Sequence, residues 1–225
     1  MPPKTLGTEY TIDDFEGMIK GAKPILTHPV RRVVFKIRSH DQGWGGDPEH
    51  QETFHGSWTW FEVGLERFDS TQNCKWEPPS TFDQTNQVPG DEKCELDKQA
   101  KDATEPPPLS MCALRTLYPE VRNNEQGLYF HHELHSDAEH KIQGNRTASR
   151  DWEDFTITWS PSDDIKADSE AAHRLSDAGR GMATGNGDFV RDLKMGDVVS
   201  IWGHARFPGW TNHVEKVGIK IYWAI

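Results

Sequence analysis

The feature that most constrains this chain is an alternation of apolar and polar side chains with a period of two residues. In the first such run Val33, Phe35 and Ile37 share one face, while Lys36 and Arg38 share the other. That period is typical of a half-buried β-strand. Further runs of this kind, rich in Val, Ile, Trp, Tyr and Thr, lie at 57–64, 128–135, 154–159, 197–205 and 213–223. Such residues suit a pleated surface.

Turn-forming residues separate these runs, for example Ser160-Pro161-Ser162-Asp163 and Phe207-Pro208-Gly209. Between them the sequence carries no long amphipathic helix. Strands joined by loops predict antiparallel sheets, so the fold class we expect is mainly β, an antiparallel β-sandwich or jelly roll. Two short helical segments are expected beside the strands, one from Thr11 to Ile19 and one from Ser169 to Leu175.

The length of 225 residues suits one large β-domain. We expect residues 1–25 to form a peripheral segment and residues 26–225 to form one sandwich domain. Residues 69–112 hold many prolines and charges but few aliphatic side chains. We interpret them as a long, partly mobile insertion between strands, because they bury too little apolar surface to repay ordering. The insertion is either a solvated excursion, a lid over a site, or a docking segment for a protein partner through Pro106-Pro107-Pro108.

Charge and cysteine content narrow the partners and the compartment. The formal net charge is −11, which disfavours nucleic acid and acidic membrane surfaces. We find no apolar run that suits a secretory signal or a membrane span. The three cysteines, Cys74, Cys94 and Cys112, suit reduced thiols in a cytoplasmic protein. Pairing of Cys74 with Cys94 stays open.

Two loop segments predict a binding site for a small polar ligand or glycan. The first surrounds Trp44 with three glycines and follows Asp41 and Gln42, and the second runs from the strand end near His204 through the turn at 207–209. Aromatic rings beside hydrogen-bonding groups commonly hold sugars. The predicted ligand-binding residues are Asp41, Gln42, Trp44, His204, Arg206, Trp210 and Asn212.

Each of these residues also has a structural interpretation. Trp44 could fold inward as part of the core, and Arg206 could form an ion pair with Asp41 as a clamp. Trp58 and Trp60 share a strand face, which is usually buried, although an open aromatic platform is the alternative.

Catalysis is the weaker hypothesis. A strand through 128–135 and beyond would place His131, Glu133, His135 and Asp137 on one face, a possible metal site that His204 or His213 could complete. Asp41 and His204 form a second candidate, an acid–base pair. The chain lacks the GxSxG nucleophile motif and the phosphate-loop ending. We therefore favour recognition over catalysis and expect no cofactor.

Several strings resemble a β-sandwich module of fungal cytosolic proteins, often appended to ankyrin-repeat or other multidomain proteins. They are RSHDQGW at 38–44, SWTWF at 57–61, ASR at 148–150, GD at 196–197 and PGWTNH at 208–213. The resemblance covers about three fifths of the chain. It implies a sandwich fold and a cytosolic location, and it brings no activity, ligand or catalytic residue with it.

Overall fold

The computed structural model describes residues 26–68 and 114–224. The helical elements in these ranges are a 3-10 turn at Pro48–His50 and two short helices, α1 (Glu170–Asp177) and α2 (Asp188–Asp192). The nine strands are β1 (Val30–His40), β2 (Thr59–Phe68), β3 (Leu114–Tyr118), β4 (Glu120–Asn124), β5 (Gly127–His131), β6 (Lys141–Gly144), β7 (Glu153–Trp159), β8 (Val198–Ala205) and β9 (His213–Trp223).

The strands form two antiparallel sheets and a separate hairpin. In the first sheet β1 lies between β7 and β9. In the second sheet β8 pairs with one edge of β2, while β3 and β6 share the other edge. The hairpin consists of β4 and β5. Every one of these pairings is antiparallel, as expected for strands joined by loops.

The core lies between the inner faces of the two sheets. Phe35 and Ile37 of β1 belong to one cluster with Phe61 and Leu65 of β2. Trp159 of β7 completes it, with 4.8 Å between the centroids of its ring and the Phe35 ring. Each of these five side chains is at most 2% exposed. The alternation in the sequence thus buries one face of each sheet, and burial of this apolar surface stabilises the fold.

The predicted fold class, mainly β and antiparallel, is confirmed. The predicted strand at 128–135 is wrong beyond His131, where β5 ends. The helical segment after Ser169 is present as α1, and the Ser169 hydroxyl accepts the Ala172 amide as its cap. The segments at 1–25 and 69–112, with the expected N-terminal helix and insertion, lie outside the described residues. None of the described helices has the length and apolar character to cross a membrane.

Candidate functional site

Loops from both sheets converge at one end of the sandwich. His40 at the end of β1 pairs with His213 at the start of β9, and Thr59 at the start of β2 pairs with Ala205 at the end of β8. These four strand ends lie at the same end of the sandwich, because Asn145 bonds both Ser39 of β1 and Thr59 of β2. The loops at 41–58 and 206–212, which contain most of the predicted binding residues, project from this end. Loops held by a rigid scaffold are the usual carriers of binding function.

A network of buried polar side chains fixes these loops. Asn145 accepts the Ser39 hydroxyl at 2.7 Å and donates to the Thr59 hydroxyl at 2.9 Å. The same amide donates to Asn212 Oδ1 at 2.9 Å. Asn212 in turn donates to the backbone carbonyls of Trp60 and His204 at 3.1 and 3.3 Å. Asn212, one of the predicted ligand-binding residues, therefore joins the turn before β9 to β2 and β8.

Asp41 anchors the same network from a fully buried position. One carboxylate oxygen accepts the Thr59 hydroxyl and the other accepts the Ala148 amide, both at 2.8 Å. Burial raises the pKa of Asp41, although these hydrogen bonds favour its charged form. Ala148 has a φ of 59°, a left-handed conformation that the bond to Asp41 helps to hold. Asp41 thus positions the loops and does not face solvent.

Four aromatic rings form a continuous row on the surface above this network. The ring centroids of Trp44 and Trp210 are 5.9 Å apart, those of Trp210 and Phe207 are 5.8 Å apart, and those of Phe207 and Trp58 are 5.5 Å apart. Trp44 is 50% exposed and Phe207 is 39% exposed. We call these four residues the aromatic row. The alternative in which Trp44 plugs the core is wrong, because half of its surface is open to solvent.

Polar groups flank the aromatic row at both ends. The Arg206 guanidinium lies 4.6 Å above the Trp58 ring and contacts His135 at 3.1 Å. The proposed clamp between Arg206 and Asp41 is wrong, since Thr59 and Ala148 occupy the Asp41 carboxylate. At the other end the Gln42 amide donates to the Trp44 carbonyl at 2.7 Å and fixes the turn.

A second polar cluster lies on the outer face of the β2–β8 pair. Trp60 stands opposite His204 in the register, and their rings stack at 5.0 Å with an interplanar angle of 9°. Glu62 follows on the same face, with Oε2 3.3 Å from His204 Nε2. His132, just after β5, packs against His204 in a T-shaped arrangement with 4.8 Å between the ring centroids. We call Glu62, His132 and His204 the histidine cluster.

The three side chains of the histidine cluster could hold a metal ion. Each offers one ligand atom, and these atoms all lie within 4.8 Å of one another. Within residues 26–68 and 114–224, no other three His, Cys, Asp or Glu side chains bring their ligand atoms this close together. A cavity of about 200 Å³ adjoins it, lined in part by Glu62, His131, His132, Glu133, Asp137 and Trp202.

Burial shapes the charge of this cluster. Burial lowers the pKa of His132 to about 4, with a further contribution from His204, so its imidazole is neutral near pH 7. Burial alone would raise the pKa of Glu62. His204, the Asp137 amide and the Trp60 indole outweigh that effect and lower it. The cluster therefore combines a carboxylate with a neutral imidazole at physiological pH.

The predicted metal site, with His131, Glu133, His135 and Asp137 on one strand face, does not form. Because β5 ends at His131, the following residues leave the strand pattern. His131 contacts Glu133 at 3.2 Å, Asp137 accepts from His140 at 2.6 Å, and His135 contacts Arg206. Asp41 and His204, the predicted acid–base pair, belong to two different clusters.

Sequence reasoning missed Glu62 and His132 as site residues. The available signal was the alternation in β2, which places Glu62 two residues after Trp60 on the outer face. A glutamate that follows a buried tryptophan on a strand needs a partner, and that requirement could have marked it.

Comparison of this chain with protein-family models, with curated proteins and with solved structures finds no match. Any functional conclusion therefore depends on the geometry of the two clusters and of the aromatic row.

Proposed function

We propose that this protein is a carbohydrate-recognition module that binds its ligand along the aromatic row. The observation that carries the proposal is the continuity of the row, in which four rings follow one another at 5.5–5.9 Å and two of them are well exposed. Sugar rings have apolar faces that stack on such side chains. A row of rings suits an oligosaccharide better than a single sugar.

The polar neighbours of the row supply directional hydrogen bonds. Arg206 lies over Trp58 and Phe207 with its Cζ atom 4.6 and 5.0 Å from their ring centroids. Its planar set of donors suits vicinal hydroxyls or a carboxylate on a sugar. His135 beside Arg206 adds a further donor or acceptor. Together these groups provide the combination of an apolar surface and few polar contacts that small-ligand sites use.

The buried network beneath the row supports the proposal through preorganisation. Asp41, Asn145 and Asn212 fix the loops that bear the rings, so binding does not need to order them. Rigid sites lose less conformational entropy on binding. We also propose a cytosolic location for this module, since its odd number of cysteines suits a reducing compartment.

The test is a titration of the full chain with a panel of oligosaccharides. Binding is monitored by tryptophan fluorescence and by the melting temperature. A true ligand should quench or shift the fluorescence saturably and raise the melting temperature. Trp44→Ala and Trp210→Ala should each weaken binding about tenfold or more, which corresponds to about 1.4 kcal/mol of lost stacking.

The matched control is Trp223→Ala. Trp223 is 53% exposed, much like Trp44, but it lies at the far end of β9. This control should bind as the wild type does. If no oligosaccharide in the panel binds, or if the Trp44 and Trp210 variants bind as tightly as the control, the proposal fails.

A further inference from the structure

We propose that the histidine cluster, Glu62, His132 and His204, binds a divalent transition-metal ion, with zinc as the best-suited metal. This inference is independent of the carbohydrate proposal, and it departs from the sequence expectation of no cofactor. The ligand atoms of the three side chains lie within 4.8 Å of one another. Two imidazoles and one carboxylate form a donor set that zinc and non-haem iron use, whereas calcium and magnesium prefer oxygen ligands alone.

Two nitrogens of the cluster lack a hydrogen-bond partner. His132 Nδ1 and His204 Nε2 are buried without a hydrogen bond in the described part of the chain. His204 Nε2 lies 3.3 Å from Glu62 Oε2, but the two groups are not aligned for a hydrogen bond. Leaving a buried polar group without a hydrogen bond destabilises the fold. A metal ion between the two rings would engage both nitrogens.

The surroundings orient the carboxylate as a ligand. Glu62 Oε1 accepts the Trp60 indole N–H at 2.7 Å and the Asp137 amide at 3.0 Å. Both bonds go to the same oxygen, so Oε2 is directed towards the imidazoles. The stacking of His204 on Trp60 fixes the ring of the second ligand. Partners of this kind hold metal ligands in place and are a regular part of metal sites.

The charge and shape of the cavity also favour a cation. Four carboxylates line it, those of Glu62, Glu120, Glu133 and Asp137. Half-buried Lys141 interacts with Glu62 and opposes a cation, and Glu120 is paired with Arg122, but the other three carboxylates still outnumber Lys141. Three protein ligands beside an open cavity leave a coordination position for water or for a bound molecule, as in zinc sites that take an exogenous ligand. The proposed site is therefore an accessible one.

The first test measures zinc affinity in the full chain. Cys74, Cys94 and Cys112 are alkylated so that thiols do not compete, bound metal is removed with a chelator, and zinc is titrated against a chromophoric chelator. The wild type should bind one equivalent at the cluster. Glu62→Gln and His132→Gln should each weaken binding about tenfold or more.

His131→Gln is the matched control for this titration. His131 lines the same cavity but contacts Glu133, and it lies outside the cluster. Its substitution should leave the zinc affinity unchanged. The absence of zinc binding by the wild type, or cluster variants that bind like the control, would overturn the proposal.

A second measurement uses the unmutated protein, so that no variant has to fold. Imidazole nitrogen resonances are recorded by NMR during a zinc titration. One nitrogen of His132 and one of His204 should change to the metal-bound form, while the signals of His131 and His140 should stay in place. Zinc that perturbs only other histidines, such as the surface pair His50 and His55, would refute the assignment.

Discussion

Two neighbouring buried polar clusters among the described residues differ in how completely their hydrogen bonds are made. In the network of Asp41, Thr59, Asn145 and Asn212, each side-chain nitrogen or oxygen has a partner. In the histidine cluster, His132 Nδ1 and His204 Nε2 make no hydrogen bond, although Glu62 Oε2 lies 3.3 Å from His204 Nε2. The two clusters lie close together, because Asn212 donates to the backbone carbonyl of His204.

The difference separates scaffold from site. A buried network in which every polar atom has a partner rigidifies a fold, and a ligand has no unpaired group to engage there. A partly bonded one carries an energetic cost that a ligand can remove. The first cluster therefore accounts for the rigidity of the loops, and the second has the chemistry to take up an ion. Substitutions in the first cluster should mainly lower the stability of the protein. Substitutions in the histidine cluster should mainly weaken metal binding.

Among substitutions in the two clusters, Asp41→Ala should have the largest effect, a loss of stability. The change leaves the Thr59 hydroxyl and the Ala148 amide buried without their acceptor. We expect the free energy of unfolding to fall by about 2–6 kcal/mol, because each of the two unpaired buried donors costs about 1–3 kcal/mol. Urea unfolding at neutral pH measures it. Asp151→Ala, at an exposed aspartate in the same region, is the control. Equal losses in the two variants would contradict the scaffold role of Asp41.

The next effect concerns the pH dependence of stability through His132. In the unfolded chain its pKa is about 6.5, whereas burial lowers it to about 4 in the folded protein. Between these values the unfolded state binds a proton that the folded state does not, so stability is fully present above about pH 6.5 and falls as the pH decreases. The contribution lost between about pH 6.5 and about pH 5 is about 2 kcal/mol.

Metal-free wild type and His132→Gln, unfolded by urea at a series of pH values, check this prediction. The wild type should lose more stability on acidification than the variant does. Parallel curves would mean that His132 has the same pKa in the folded and the unfolded protein, and they would remove the distinction between the two clusters.

The sequence predicted the scaffold better than it predicted the sites. Alternation identified β1, β7, β8 and β9, because each is at least seven residues long and therefore repeats the period of two several times. It did not identify β3, β4 and β6, which have four or five residues and mixed burial. Runs that short contain too few alternations to stand out from loops.

The candidate site depends on pairings that a sequence does not contain. His204 meets Glu62 through the register between β2 and β8, and His132 reaches them because β5 ends one residue before it. A shift of one residue in that register would move His204 to the opposite face. Loop residues were easier to predict, since Trp44 and Trp210 lie in glycine-bearing turns at strand ends. The roles of the loop residues were harder to predict. Asp41 and Asn212 were expected to bind ligand, but their side chains bond the loops to the strands.

A smaller effect should follow from removing the charge at Glu62. In Glu62→Gln the side-chain oxygen still accepts from Trp60 and from the Asp137 amide, and the new amide group can donate to the unpaired His204 nitrogen. Without metal, the free energy of unfolding should change by less than about 1 kcal/mol. The isosteric Asp41→Asn, which turns an acceptor towards the Ala148 amide into a donor, should cost about 2 kcal/mol. Chemical unfolding in a chelating buffer measures the change in the free energy of unfolding for both variants. Equal changes would contradict the difference between the clusters.

The smallest effect on stability is expected at Trp44, although this residue is central to the proposed binding surface. Half of its surface is exposed, and its described ring contact is with Trp210. Trp44→Ala should therefore lower the free energy of unfolding by about 0.5 kcal/mol. Trp159→Ala, at a core position that is 1% exposed, should cost about 3–5 kcal/mol. Denaturant unfolding of the two variants measures both changes in free energy. If Trp44→Ala destabilises the protein as much as Trp159→Ala does, the aromatic row belongs to the core, and the stability of this end of the sandwich does not come from the buried network alone.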